Sequence, residues 1–335
     1  MNKLQKSYKI CRNIFYEYAK TYYLGAVLFE KEKFKHICAF YGFVRVIDNI
    51  VDCDKKTSLI RKKEILLDLE TLFFTIFNEN KDNTNYDNLT YLDNFSLKNN
   101  ENIELFYKIL PAVINSFSKI KISENCIRYF FTSMRMDLEK FSYNTYRELE
   151  EYMLGSAEII GEVMFSIMDN KDQSVEMLDY AYSLGRAFQL TNFIRDIRED
   201  YEMKPSRIYI PIEDQDEFKV SLEFDIPKIL NNTIKDNQFS NVKKLVSYQI
   251  QQANKYYDFA QIGINRLDDK ECIYLSKVLY SSIHNKIIEN DYDVFTEKCK
   301  LTFYEKMKIT YNILSWYNLY KFILNYICYT YFFLV

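Results

Sequence analysis

Apolar residues recur along most of this chain at steps of three and four, the spacing that puts them on one face of an α-helix. Such runs predict helices over residues 7–29, 32–53, 103–118, 124–140, 148–168, 242–266 and 270–289, and another through 189–200. Two of them depart from the usual single apolar stripe opposite a broad polar face. In QLTNFIRDIRED, Gln189, Asn192, Asp196 and Asp200 fall at steps of three, four and four and share one stripe. Leu190, Phe193, Ile194 and Ile197 cover much of the remaining circumference. In YGFVRVIDNIVD, Tyr41, Arg45, Asp48 and Asp52 fall at steps of four, three and four, among Phe43, Val44, Val46, Ile47, Ile50 and Val51. Each is an apolar helix with a narrow polar stripe. Such a stripe either meets water at the edge of a fold or lines a cavity that holds something cationic.

Between these runs, residues 78–102 are rich in Asn and Asp and read as a surface loop or insertion. Both sides of it carry halves of one proposed site, so it is not a domain linker. Gly155, Ser156, Ala157 and Gly161 cluster inside one helix, where each glycine costs about 0.5–1 kcal/mol relative to alanine. Either two helices pack closely there or a ligand approaches. The main break in helical order is YEMKPSRIYIPIEDQDEFKVSLEFDIP, with Pro205, Pro211 and Pro227. Lys204 and Arg207 lie at its start, where a flexible loop would place cations over a bound anion or simply display surface charge. The final stretch, WYNLYKFILNYICYTYFFLV, has a single charge, Lys321. Its uncharged run of 14 residues falls short of the roughly 20 that a spanning helix needs. Contact with a membrane surface or docking onto the fold is expected instead.

Composition narrows the fold. Only 6 glycines and 4 prolines in 335 residues leave few turn formers for a many-stranded protein, so the chain is expected to be all-α. A net charge of −3 gives no reason to expect nucleic acid as a partner. Seven scattered cysteines without a CxxC pair fit a reduced, cytoplasmic compartment. His36 and His284 are the only histidines, which disfavours a histidine-rich zinc site. Oxygen ligands, and hence Mg²⁺ (or Mn²⁺ in its place), are the better expectation.

A lone DxxxD pair is common on solvated helices. Two pairs, each on the polar stripe of an apolar helix and each with an arginine close by (Arg45, Arg195), are a stronger signal. Four carboxylates facing one another would repel strongly unless cations lay between them. Mg²⁺ held by carboxylates and by substrate phosphates is the usual solution.

Taken together, the motifs resemble the squalene/phytoene synthase family of head-to-head prenyl-diphosphate condensing enzymes. They run in order from AKTYYLGAVLF (residues 19–29) through YGFVRVIDNIVD, SMRMDL (133–138), YMLGSAEIIGEVM, QLTNFIRDIRED and RIYIP (207–211) to YDVF (292–295). The wording of the first and the presence of RIYIP favour the phytoene-synthase branch. The resemblance implies a single all-α catalytic domain over residues 1–310, with a central cavity flanked by the two aspartate helices and a separate tail over 311–335. It implies that Asp48 and Asp52 hold Mg²⁺ against one diphosphate, and that Asn192, Asp196 and Asp200 do so on the facing helix. Arg45, Arg195, Lys20, Arg207 and Tyr280 would contact diphosphate oxygens, and Tyr41 and Gln189 would lie near the reacting carbons.

The implied reaction ionises one allylic diphosphate and joins the carbocation to the double bond of a second prenyl diphosphate. A cyclopropylcarbinyl diphosphate results, and its rearrangement with loss of a proton gives phytoene in carotenoid biosynthesis. A reductive finish with NADPH would instead give squalene. Ala26 and Cys38 are small residues on apolar helices within a few turns of the motifs. Either they leave room for geranylgeranyl rather than farnesyl chains, or they simply pack against neighbours. The chain departs from many family members in having Asp48-Asn49 where paired aspartates stand. It also lacks the DDxxD of terpene cyclases. A catalytically silent assembly protein of the same fold is the alternative from another class, though such relatives are expected to lose the aspartates that persist here.

Overall fold

The computed structural model describes residues 2–54, 56–80 and 100–331. In chain order its helices are α1 (Lys3–Tyr18), α2 (Lys20–Ala26), α3 (Lys31–Asp52), α4 (Leu59–Asn80), α5 (Glu101–Lys119), α6 (Glu124–Met136), α7 (Tyr146–Met153) and α8 (Ile159–Met168). They continue with α9 (Val175–Arg195), α10 (Ile197–Glu202), α11 (Ile212–Glu217), α12 (Leu222–Leu230), α13 (Asp236–Ile264), α14 (Lys270–Glu289), α15 (Phe303–Ile313) and α16 (Trp316–Tyr331). Among the described residues the β-structure is one isolated parallel bridge between Ser142 and Ile208. The all-α expectation holds. Contacts group the chain into two compact units: Met1–Leu138, Val163–Asn170 and Leu314–Val335 in the first, Glu139–Glu162 and Lys171–Ile313 in the second.

In the first unit, α3 is anchored through its apolar back. Phe43 sits among Phe73, Phe106, Phe117, Phe130 and Phe131 from α4, α5 and α6, with ring centroids 5.2–6.2 Å away. Val46, Ile47 and Ile50 are fully buried beside it. Each such side chain contributes about 1.5–3 kcal/mol of burial, and that fixes which way the polar stripe of α3 can point. The C-terminal end of α3 is held by Lys62, whose Nζ donates to Val51 O at 2.5 Å.

The predicted helix over 7–29 is two helices. Ala19 (φ −129°, ψ 51°) ends α1 and opens α2. Tyr16 and Tyr23 would be about 10 Å apart along a straight helix, and the bend brings their rings to 5.2 Å, with Phe15 at 5.3 Å. The last helix docks on this corner. Tyr329 stacks on Phe34 at 4.3 Å, Asn325 Nδ2 donates to Val27 O at 2.8 Å, and buried Arg12 donates to the carbonyls of Tyr329 and Thr330. A buried guanidinium on the final carbonyls of α16 suits the negative end of a helix. The tail is therefore tied to the fold through one face.

In the second unit, α13 and α9 pack along their lengths, and α9 also meets a π-helical turn at Leu154–Glu158. The run 148–168 is thus interrupted rather than one α-helix. A Cβ on Gly185 would stand 2.3 Å from Ala157 O, and one on Gly161 would stand 2.2 Å from Ala181 O. Close helix packing accounts for Gly161 in the small-residue cluster. Helix α6 stops at Met136, short of Lys140, and the chain beyond it takes up backbone bonds with the proline-rich segment, including Ile208 N to Phe141 O at 2.9 Å. Residues 78–80 and 101–102 of the predicted loop are helical, and 81–99 lie outside the described residues.

Candidate active site

On α3, the stripe read from sequence is present. Arg45 Nη1 donates to Asp48 Oδ2, and its Nε donates to Tyr41 OH at 3.3 Å. The guanidinium also lies 4.9 Å over the Tyr18 ring. Tyr41, Arg45, Asp48 and Asp52 are half-buried, whereas Asn49 beside them is buried. Burial disfavours the Arg45 charge, but Asp48 and Tyr41 outweigh it and raise its pKa. Lys20 opens α2 with an exposed side chain. Ala26 and Cys38 are buried in α2 and α3.

The second stripe differs from its expected form. The helix does not run unbroken from Gln189 to Asp200, because Asp196 (φ −103°, ψ 15°) interrupts it. Asp196 N still bonds Asn192 O at 2.8 Å and Asp200 N bonds Asp196 O at 2.9 Å, which keeps these three residues on successive turns. The physical reason for the break is visible in the charges. Neighbours in sequence point about 100° apart on an α-helix and do not face each other. Here Arg195 grips Asp196 with two bonds, Nε to Oδ1 at 2.8 Å and Nη2 to Oδ2.

A continuous polar chain follows from that grip. Arg195 Nη1 donates to Tyr280 OH at 3.3 Å, and the Tyr280 hydroxyl donates to Asn192 Oδ1. Asn192 Nδ2 in turn donates to Gln189 Oε1 at 3.4 Å. Lys298 Nζ stands 2.7 Å from Asp196 Oδ1 and 3.0 Å from Glu199. Burial pushes the Asp196 carboxyl up, but Arg195 and Lys298 together hold it below its ordinary range, so it is ionised at neutral pH. Arg195 stays charged for the matching reason, with Tyr280 and Asp196 overcoming its burial.

Arg207 is not on a loose loop. Its residue is buried, its N–H bonds Asp200 O at 2.9 Å, and the following bonds of Ile208, Ile212 and Glu213 to Phe141, Tyr143 and Asn144 hold the segment in place. The structure thus connects Gln189, Asn192, Arg195, Asp196 and Tyr280 by side chains, and brings Arg207 to Asp200 by backbone. Lys298 is the residue that sequence reasoning missed. It lies just after YDVF in a non-helical stretch, and its position depends on Arg198, which crosses to Phe295 O at 2.8 Å and Thr296 O at 3.3 Å. No spacing rule connects 298 to 196.

Among the described residues, no three His, Cys, Asp or Glu side chains are grouped for a metal. The donor chemistry nevertheless fits a hard divalent cation. Asp48 and Asp52 on one stripe, and Asn192, Asp196 and Asp200 on the other, offer oxygen only. Asp48 and Asp196 already accept charge from Arg45, Arg195 and Lys298.

Residues 16–305 match the family model described as squalene/phytoene synthase. The chain is 30% identical over 317 residues to a phytoene synthase of Arthrospira platensis, covering 90% of each. It is also 30% identical to a chloroplastic phytoene synthase of Zea mays, over 89% of this chain and 65% of that one. A solved dehydrosqualene synthase superposes with a TM-score of 0.71 at 23% identity, over 92% of this chain and 96% of the other. A squalene synthase from Alicyclobacillus acidocaldarius does so with a TM-score of 0.64 at 15% identity, over 87% and 99%. These two share the fold. With a family match over most of its length and both carboxylate stripes in place, the chain belongs to the squalene/phytoene synthase family, enzymes that condense two prenyl diphosphates head to head.

Proposed function

We propose that the protein is a phytoene synthase that joins two geranylgeranyl diphosphates through a cyclopropylcarbinyl diphosphate. The observation that carries this is the chain of bonds from Gln189 through Asn192, Tyr280 and Arg195 to an ionised Asp196 that also accepts Lys298. Such an arrangement suits an anion that must be bound, neutralised and released. Asp48, Asp52, Asn192, Asp196 and Asp200 would hold Mg²⁺, which when bound supplies the positive charge that stabilises a departing diphosphate. Arg45, Arg195, Arg207, Lys20, Tyr280 and Lys298 would bind diphosphate oxygens, with the arginines offering paired donors. Tyr41 and Gln189 would sit by the reacting carbons. Apolar flanks such as Phe188, 4.9 Å from Tyr280, keep water from a carbocation that it would quench. Both histidines are buried and already hydrogen-bonded, His36 to Ser116 and His284 to Thr191, so the released diphosphate is the proton acceptor in this reading.

The C40 product is favoured by the naming of the curated relatives as phytoene synthases and by the small Ala26 and Cys38. Incubating the protein with labelled geranylgeranyl or farnesyl diphosphate, with and without NADPH, tests it. Phytoene from the C20 substrate without NADPH is the expected product. Squalene formed only with NADPH, or dehydrosqualene alone, overturns the assignment.

The same reading puts the enzyme at a membrane surface on the cytoplasmic side. No described helix is long and apolar enough to cross a membrane. The face of α16 away from its docking contacts exposes Trp316, Tyr320, Ile323, Leu324 and Ile327, an apolar and aromatic band suited to an interface. Trp316 is the only tryptophan and is 78% exposed. Its emission should shift to the blue on adding phosphatidylcholine–phosphatidylglycerol vesicles, and an unchanged spectrum refutes this contact.

A further inference from the structure

Behind the polar chain of the second stripe lies another set of bonds, buried around Thr191 and absent from the functional reading. Thr191 Oγ1 lies 2.9 Å from His284 Nε2 and 3.0 Å from Tyr257 OH, and it reaches Ala187 O at 2.8 Å. On its other side, His284 Nδ1 lies 3.0 Å from Asn254 Oδ1. The Asn254 amide oxygen faces Nδ1, which therefore carries the ring proton, and the single Thr191 hydroxyl hydrogen, which is donated to Ala187 O, is shared with His284 Nε2. The Tyr257 hydroxyl then donates to Thr191, and the set runs in one direction from α13 through α9 to α14 and back to α13. Thr191, His284 and Tyr257 are 0%, 2% and 2% exposed, while Asn254 at the end of the set is exposed. Burial lowers the His284 pKa to about 4, which agrees with a neutral ring.

The placement of these bonds gives them a consequence at the site. His284 and Tyr280 are one turn apart on the same face of α14, while Thr191 and Asn192 are consecutive on α9. The two helices are therefore joined by two adjacent rungs, His284 to Thr191 and Tyr280 to Asn192. The outer rung fixes the Asn192 amide from both ends, with Oδ1 receiving Tyr280 and Nδ2 directed at Gln189. An amide oxygen has two lone pairs, so one remains for a cation after Tyr280 has taken the other. Losing the inner rung would let α14 shift on α9, and a shift of a few tenths of an ångström is enough to spoil the short outer bond.

We propose that His284 is a positioning residue: by gripping Thr191 it sets the register of α14 on α9 at which Tyr280 orients Asn192 and Arg195 toward a divalent cation and its diphosphate. This rests on the role given above to Asn192. It assigns work to a side chain that the reaction itself does not use.

The test is a double-mutant cycle on His284 and Tyr280. The measurements are Mn²⁺ affinity by calorimetry in the presence of inorganic diphosphate, the Mg²⁺ concentration for half-maximal turnover, kcat, and melting temperature. His284→Leu should weaken Mn²⁺ binding about tenfold, as loss of an outer-shell partner commonly does. It should raise the half-activating Mg²⁺ concentration by a similar factor, and leave kcat at saturating Mg²⁺ within about twofold. His284→Gln, which keeps an acceptor toward Thr191, should recover most of the affinity. In a Tyr280→Phe background, His284→Leu should add nothing further to the metal defect. A lowered melting temperature with unchanged Mn²⁺ and Mg²⁺ dependence, or an equally large effect in the Tyr280→Phe background, overturns the proposal. Should His284→Leu not fold, Thr191→Val removes the other end of the same bond and is read identically. If the wild type turns over no prenyl diphosphate, the functional reading fails, and the Mn²⁺ titrations still decide the role of His284.

Discussion

Replacing Asp196 by Asn should damage the fold and the chemistry separately and measurably. In the wild type the carboxylate accepts Arg195 Nε at 2.8 Å, Arg195 Nη2, and Lys298 Nζ at 2.7 Å. Asparagine retains one acceptor oxygen and turns an NH₂ group toward cationic donors, so at least one charge-assisted bond is lost and another is weakened. Each such bond is worth about 1.5–3 kcal/mol. With the Asp196 side chain 18% exposed, solvent recovers part of the loss, and a net cost of about 3 kcal/mol follows. For a chain of this size that corresponds to roughly 5 °C in melting temperature. Turnover at saturating Mg²⁺ should fall about a thousandfold, the equivalent of ~4 kcal/mol at the transition state. Calorimetric melting and product formation from labelled prenyl diphosphate measure the two effects. Because Lys298 shares the carboxylate, Lys298→Met should lessen the thermal cost of Asp196→Asn by about 1 kcal/mol. A variant that melts with the wild type, or keeps more than a tenth of its turnover, refutes the assignment of Asp196 as the charged centre of the site.

Acid should weaken the fold earlier than carboxylate titration alone would. Burial lowers the pKa of both His36 and His284 to about 4, from an ordinary 6.5. The unfolded chain therefore takes up these protons first, and the stability lost as pH falls from 6.5 to 4 is on the order of 3 kcal/mol per histidine. Urea unfolding at pH 7, 5.5 and 4 measures it; a flat profile over that window, or no flattening in His36→Leu, contradicts the burial argument. Gly185→Ala should destabilise by about 1–3 kcal/mol, because its Cβ would meet Ala157 O at 2.3 Å; a gain in denaturant midpoint, as helix propensity alone predicts, would refute the close approach. Chelation with EDTA should abolish turnover yet leave the melting temperature within about 1 °C, since Asp48 and Asp196 are held by cations of the chain itself; a large drop in melting temperature would show the metal to be structural.

Much of the fold was readable because helix periodicity needs only local information. The scarcity of Gly and Pro excluded sheets, and the runs that became α3, α5 and α14 end within two or three residues of their predicted limits. What failed was continuity. The bend at Ala19, the π-helical turn at Leu154–Glu158 and the interruption at Asp196 all lie inside runs whose apolar spacing is unbroken. Each coincides with a side-chain or backbone contact that apolar spacing does not record: the Tyr16–Tyr23 rings, the packing of Gly185 on Ala157, and the Arg195–Asp196 pair. The site was readable to the extent that its residues lie on helices. Tyr41, Arg45 and Asp48 fell to the spacing rule, and so did Gln189, Asn192 and Asp196. Lys298 did not, because a loop residue reaches its partner by a path that no local pattern records.

The two aspartate motifs have the same internal spacing, and their backbones nevertheless differ for an electrostatic reason. Arg45 precedes Asp48 by three residues, so an unbroken helix already places guanidinium and carboxylate side by side. Arg195 immediately precedes Asp196, where an unbroken helix would hold the two apart. Interrupting the helix at Asp196 turns sequence neighbours into a two-bonded pair, and the same guanidinium then reaches Tyr280. The break also moves a carboxylate that would otherwise be one of a repelling row into contact with two cations, Arg195 and Lys298. Repulsion along each stripe is thus met first by the chain's own positive charges. That is why an acidic stripe can persist on an apolar helix before any substrate arrives.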